Sequence, residues 1–206
     1  MDGNNRWSKK NNLSKYISYK KGGEKLLKVS EYLFTKTDIS YVSAFALSKD
    51  NINRSSLIIN SIKKVLNEAI ESYNKNKNKF DIYFIGDFDF FNKKTKNAII
   101  QINSINKYKK KLFIFLNYGG KQDIEQAAKK YKNSSIAFKE ALLTKNIPDP
   151  DLLIRTGGFK RLSNFLLYQI SFTELFFLNK LWPDFNYSDL NKILLKYRHI
   201  KRKFGR

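Results

Sequence analysis

Apolar and polar positions follow two periods along this chain, and the alternation between them predicts its elements. Within residues 20–33, Leu26, Leu27, Val29, Tyr32 and Leu33 suit one face of a helix that starts near Gly22-Gly23. A strand is expected over residues 39–47, closed by the polar loop Ser48-Lys49-Asp50-Asn51-Ile52-Asn53-Arg54. Ile58, Ile62, Val65, Leu66, Ala69 and Ile70 then recur at helical spacing. Residues 80–85 read as a second strand ending at Gly86-Asp87, and Ala98, Ile99, Ile102 and Ile105 mark another helix. Residues 112–116 form a third strand, ending at Asn117-Tyr118-Gly119-Gly120 before a helix from about Asp123. A shorter helix over residues 135–143 comes next, then a strand over 152–154, a short buried helix over 165–170 and a strand over 174–178. Trp182-Pro183-Asp184-Phe185 is a turn, and a basic helix over residues 188–203 ends the chain.

Strands alternating with helices predict an α/β fold, a largely parallel central sheet flanked by helices. Ligands of such sheets sit at the carboxyl ends of the strands, and the polar clusters fall there: Ser48 to Asn51, Gly86-Asp87, Asn117 to Gly120 and Arg155 to Arg161. No internal repeat or linker divides the 206 residues, so one domain is expected over 1–206.

Composition removes several classes of chemistry. There is no cysteine, and the one histidine, His199, lies in the basic C-terminal helix, which argues against disulfides, thiolate metal sites, zinc chemistry and a histidine triad. No apolar run approaches the roughly 20 residues of a membrane span, and the first residues lack a signal-sequence pattern, so the cytoplasm or the cytoplasmic face of a membrane is the expected location. A formal charge of +22 suits polyanions such as nucleic acid, anionic lipid or diphosphates. The lysines are spread through the chain without a nucleic-acid-binding motif, so no specific nucleic-acid partner is expected.

Candidate chemistry concentrates in residues 151–164. An apolar strand, Leu152 to Ile154, runs into Gly157-Gly158 with Arg155 and Arg161 on either side, two planar forks suited to phosphate oxygens. Ser163 and Asn164 are good N-cap residues for a helix that follows, whose free N–H groups would face the same space. The opening Asp2-Gly3-Asn4-Asn5-Arg6-Trp7 sets a hard carboxylate oxygen beside a glycine turn and an arginine, equipment for Mg²⁺ and phosphate together. Glu174, at the head of an apolar segment, needs a partner or a metal.

Residues 1–7, Asn117 to Gly120, Asp151 to Asn164, Glu174 to Phe177 and Leu181 to Phe185 resemble, in order and over nearly the whole chain, the motifs of the cis-prenyltransferases. The resemblance implies a homodimeric α/β enzyme that adds isopentenyl diphosphate to an allylic starter such as farnesyl diphosphate with Mg²⁺. Its product would be a long-chain polyprenyl diphosphate delivered to the membrane, the precursor of the undecaprenyl carrier used in cell-wall glycan synthesis. Asp2 matches the catalytic aspartate, and Gly3, Asn4, Asn5 and Arg6, with Arg54, match the allylic diphosphate loop. Trp7 falls in the same motif. Arg155, Arg161 and Ser163 match the isopentenyl diphosphate site, and Glu174 matches a carboxylate that reaches the metal from the dimer partner. Ser48 and Asn51 match polar residues near the reacting carbons, and Asp123 another active-site acid. The helix over residues 57–70 and the strand over 112–116 would line an apolar tunnel for the growing chain.

The chain departs from that pattern at several positions. The family carries an apolar strand ahead of its aspartate motif, which this sequence lacks. Asn5 stands where glycine is usual, and Lys15 and Tyr19 stand where arginine and histidine help hold the allylic diphosphate. Lysine keeps the charge without the fork, and Tyr19 donates a hydrogen bond without a charge. Ile52, Ser55 and Phe159 replace a tryptophan, a proline and a glutamate, and Phe115 and Lys109 to Lys111 also depart. Two other readings remain open at this point: a catalytically weak prenyl-binding subunit on the same fold, and a basic nucleic-acid-binding protein.

Overall fold

The computed structural model describes residues 1–52, 55–75, 79–132 and 134–203. In chain order the elements are α1 (Asn4–Lys10), α2 (Lys15–Lys36), β1 (Tyr41–Ser48), α3 (Ser56–Lys75), β2 (Asp81–Gly86) and α4 (Lys93–Asn103). They continue with β3 (Lys111–Tyr118), α5 (Gly120–Lys132), α6 (Phe138–Ala141), β4 (Leu152–Arg155), β5 (Glu174–Phe177) and α7 (Tyr187–Arg198). Single turns of 3₁₀ helix cover Lys49–Asn51 and Trp182–Asp184. The expected α/β architecture is present.

β3 is the centre of a three-stranded parallel sheet in the order β1-β3-β2, with Val42 and Ile82 both opposite Leu112. Its continuous apolar run is what a strand covered on both faces requires. Leu112 and Leu116 enter one apolar cluster with α2, α3, α4 and α7, whereas Phe113 and Phe115 enter a second with Tyr118, Ile147 and Leu166. The period of two thus feeds both layers of the core. Residues 112–116, expected to line a tunnel, do not line the cleft described below. Phe115 instead packs edge-on against Tyr118 and Phe165 at 4.8 and 5.2 Å between ring centroids.

Three local expectations are corrected. The helix expected to start near Gly22-Gly23 starts at Lys15, because the Ser14 hydroxyl accepts the Ile17 N–H at 3.2 Å. Gly22 serves a close approach: Trp182 Nε1 donates to its carbonyl at 2.9 Å, and a Cβ there would lie 2.4 Å from Asn4 Oδ1. Residues 165–170 form turns and no helix, since Ser163, Asn164 and Leu166 all take positive φ, at 51°, 66° and 47°. The last helix runs from Tyr187 to Arg198, begun by a reciprocal cap in which Asn186 and Asp189 bond each other's backbone N–H.

β4 and β5 form a separate parallel pair, with Leu152 opposite Glu174 and Arg155 opposite Phe177. Among the described residues, β1 and β4 therefore each keep one edge without a strand partner. A cleft of about 1570 Å³ runs along those edges, and every residue of both strands lines it. Its apolar floor comes from Leu26, Val29 and Leu33 of α2, Ile58 and Ile62 of α3, and Leu190 of α7. Of the helix expected to line a tunnel, Ile58 and Ile62 line this cleft.

Candidate functional site

The site is assembled where the chain's first residues meet the end of β4. Asp2 is held by its backbone: its N–H donates to Thr156 Oγ1 at 3.1 Å, while Thr156 Oγ1 at 2.9 Å and Trp182 N at 3.0 Å donate to its carbonyl. Gly3, at φ 114°, turns the chain directly into α1, where a Cβ would press on Leu181 at 2.9 Å. Two further bonds fix α1: Ser18 Oγ donates to the Asn4 carbonyl at 2.6 Å, and Trp7 Nε1 donates to Asp184 at 2.7 Å. The opening residues are therefore anchored to three distant parts of the fold.

This anchoring leaves the Asp2 carboxylate between two guanidiniums. Arg155 Nη2 lies 3.0 Å from Asp2 Oδ2, and Arg6 Nη2 lies 3.4 Å from Asp2 Oδ1. Arg155 also donates to Ser163 Oγ at 2.8 Å and to the Arg161 carbonyl, while Arg6 donates to the Gly157 carbonyl at 2.6 Å. Gly157 makes that convergence possible, since its φ is +91° and a Cβ would stand 2.6 Å from Arg6 Nη2. Three buried polar atoms in the cluster, Asn4 Oδ1, Asn5 Oδ1 and Arg155 Nε, have no protein partner. The two amide oxygens are acceptors and Arg155 Nε is a donor; with the guanidinium N–H groups beside it, that donor suits an oxyanion through charge-assisted bonds.

Of the residues singled out in the sequence, Asp2, Gly3, Asn4, Asn5, Arg6, Tyr19, Ser48, Asn51, Arg155, Arg161 and Ser163 all line the one cleft. Trp7 and Lys15 do not. Trp7 is a buried residue of α1 itself, and Lys15 Nζ donates to Ser8 Oγ of the same helix at 3.1 Å, so both bear on the position of α1. Arg54 lies outside the described residues. Glu174 heads β5, three positions before the Phe177 that pairs with Arg155, so about 10 Å of strand separates it from the arginines.

Asp123 is not brought to the cleft. It is 3% exposed, accepting the Tyr118 hydroxyl at 3.0 Å and the Leu143 N–H at 2.9 Å. Burial outweighs these bonds and pushes its carboxyl above the usual aspartate range. The folded state then holds this proton more tightly than the unfolded chain, so stability falls as pH rises from about 3.9 through the folded value. Asp123→Asn keeps an acceptor for Leu143 and removes that slope. Melts between about pH 4 and pH 8 should show a flatter profile with turnover preserved; lost turnover in a folded variant would restore Asp123 to the active site.

Sequence reasoning missed Asp50, Thr156 and the true role of Asn164. Asp50 lines the cleft and accepts from Asn164 Nδ2 at 3.1 Å; it sits in the polar loop already flagged at the end of β1. Asn164 is a cap, but for the helix 43 residues earlier: Lys121 N–H donates to its Oδ1 at 2.8 Å and Gly120 N–H to its carbonyl at 2.7 Å. Among the described residues no group of three or more His, Asp and Glu side chains gathers as a cation site. Asp2, with a side chain one-third exposed, is a lone carboxylate of the kind Mg²⁺ uses when waters and substrate phosphates complete its octahedron.

Residues 1–205 match the family model for undecaprenyl diphosphate synthase. Over 221 aligned residues the chain is 36% identical to a tritrans,polycis-undecaprenyl-diphosphate synthase of Pyrobaculum aerophilum described as geranylgeranyl-diphosphate specific, covering all of this chain and 93% of that one. It is 34% identical, at the same coverage, to a ditrans,polycis-undecaprenyl-diphosphate synthase of Coxiella burnetii described as farnesyl-diphosphate specific. Among solved structures, lavandulyl diphosphate synthase from Lavandula x intermedia, in complex with dimethylallyl diphosphate, superposes with a TM-score of 0.88 at 29% identity. That match covers 100% of this chain and 95% of the plant chain.

Proposed function

This chain belongs to the undecaprenyl diphosphate synthase family and is a prenyl transferase, and from that premise we propose that it condenses isopentenyl diphosphate onto an allylic diphosphate such as farnesyl diphosphate, with Mg²⁺, to make a long-chain polyprenyl diphosphate. The observation that carries this reading is the Asp2 carboxylate set between Arg6 and Arg155 at the mouth of an apolar cleft. Arg6, Asn4 and Asn5 would hold the allylic diphosphate, and Arg155, Arg161 and Ser163 the isopentenyl one. The two anions then meet at Asp2.

Breaking the allylic C–O bond puts charge on the departing diphosphate, and preorganised guanidiniums and amide donors stabilise it most where water is scarce. Asp2 would hold Mg²⁺ together with the phosphate oxygens, and the ion when bound supplies further charge for that leaving group. Ser48 and Asn51 stand at the cleft end of β1, where they would orient the reacting carbons. Among the described residues no histidine lines the cleft, so a diphosphate oxygen or a nearby polar side chain would accept the proton lost after condensation. Ile58, Ile62 and Leu33 would receive the lengthening chain, whose transfer from water is favoured by burial of each added isoprene unit.

Exposed Leu175 and Phe172 flank Glu174, which supports a homodimer in which the partner subunit's Glu174 completes the metal site. No helix among the described residues is long and apolar enough to cross a membrane. A cytoplasmic enzyme meeting the inner membrane face through its basic surface, and supplying the carrier lipid for cell-wall glycans, fits such a product.

The test is Mg²⁺-dependent incorporation of labelled isopentenyl diphosphate onto dimethylallyl, farnesyl and geranylgeranyl diphosphates, since the relatives' names differ in starter. Incorporation onto one of them gives both starter and product length. Folded protein that binds a starter and extends none would favour a prenyl-binding subunit.

A further inference from the structure

We infer that Phe159 is the positioning residue of the diphosphate cradle, a ring on which three guanidiniums are splayed with their charge left whole. Its centroid lies 4.2 Å from Arg161 Cζ, 4.9 Å from Arg6 Cζ and 5.8 Å from Arg155 Cζ. All three are within reach of the ring's negative face. Phe159 belongs to none of the three apolar clusters, and it is 42% exposed in the cleft. Its contacts are with cations, and core packing does not explain it.

The role is clearest for Arg161. Asp2 orients Arg6 and Arg155, but among the described residues Arg161 takes no carboxylate partner, and the ring is nearest to it. The single Asp2 carboxylate offsets part of the repulsion among the three like charges, and what Arg161 adds must be offset otherwise before a substrate arrives. A carboxylate at this place would do so by accepting the N–H donors and cancelling one charge. An aromatic ring attracts the cations through its quadrupole and leaves the forks free for phosphate oxygens. Arg6 belongs to the allylic half of the cradle and Arg155 and Arg161 to the isopentenyl half, so one ring sets the spacing of both diphosphates.

This inference rests on the cradle reading above, and the two fail differently. Calorimetric titration of inorganic diphosphate into the full chain, with Mg²⁺ present, tests the cradle in the parent and Phe159 in its variants. Phe159→Leu should weaken binding by about threefold to tenfold and raise KM for a diphosphate substrate without a matching fall in kcat, while Phe159→Tyr stays close to the parent. A parent that binds no diphosphate overturns the cradle and this inference with it. Parent-like binding by Phe159→Leu, or a loss in Phe159→Tyr equal to that in Phe159→Leu, overturns the role of the ring alone.

Discussion

Asp2→Asn is expected to lower kcat by about 10²–10³-fold while leaving the fold and the diphosphate affinity intact. The substitution is isosteric, and the residue's position is set by its backbone, through Thr156 and Trp182, and not by its carboxylate. Its two ion pairs are partly exposed, with Asp2 side-chain accessibility at 33%, so their loss should shift stability little. What the amide cannot do is serve as a hard anionic ligand to Mg²⁺ beside a departing diphosphate. It also stops neutralising Arg6 and Arg155, so inorganic diphosphate without Mg²⁺ should bind at least as well as to the parent. Steady-state kinetics, a melt and a metal-free titration decide it. A variant with parental kcat would remove Asp2 from the chemistry, and one that no longer binds diphosphate would make it part of the cradle's scaffold.

The strands and most helices were legible because their signals are local. β3 reads as a strand from its own apolar run, and α3 from Ile58, Ile62, Leu66 and Ile70 on one face. Asp2, Arg155, Arg161 and Ser163 could be named from residue type and motif, and they converge. What stayed hidden depends on partners far away in sequence. Asn164 has the right chemistry for a cap, yet the helix it caps begins at Gly120, a pairing that only tertiary structure supplies. The turn at residues 163–166 defeats the apolar pattern of 165–170 because three consecutive or nearly consecutive positive φ angles cannot belong to a right-handed helix. Gly22 looked like a helix start since glycine usually interrupts one; its reason for being small is Asn4 and Trp182, both distant in sequence. Phe159, read as one more departure from a motif, acquires a role only when three arginines from two segments are seen around its ring.

Gly157→Ala is expected to cut kcat/KM by about tenfold to a hundredfold and to lower Tm by roughly 3–8 °C, and its neighbour provides the control. Gly157 and Gly158 take nearly the same backbone conformation, φ +91° and +84°, so an alanine at either pays a similar left-handed penalty of about 1–2 kcal/mol. Their surroundings differ. A Cβ on Gly157 would lie 2.6 Å from Arg6 Nη2 and 3.0 Å from Asp2 Cγ, whereas on Gly158 the nearest atom, Asn179 Oδ1, is 3.5 Å away. The first contact is closer than real Cβ atoms tolerate, and what must yield is the guanidinium and carboxylate of the site itself. Gly158→Ala should therefore share the loss of Tm and keep most of the activity. If both variants lose activity equally, backbone strain alone governs the loop. If Gly157→Ala keeps parental kcat/KM, the Arg6, Asp2 and Arg155 arrangement has enough slack to be remade around a methyl group, and the close geometry of the cradle is not what the reaction depends on.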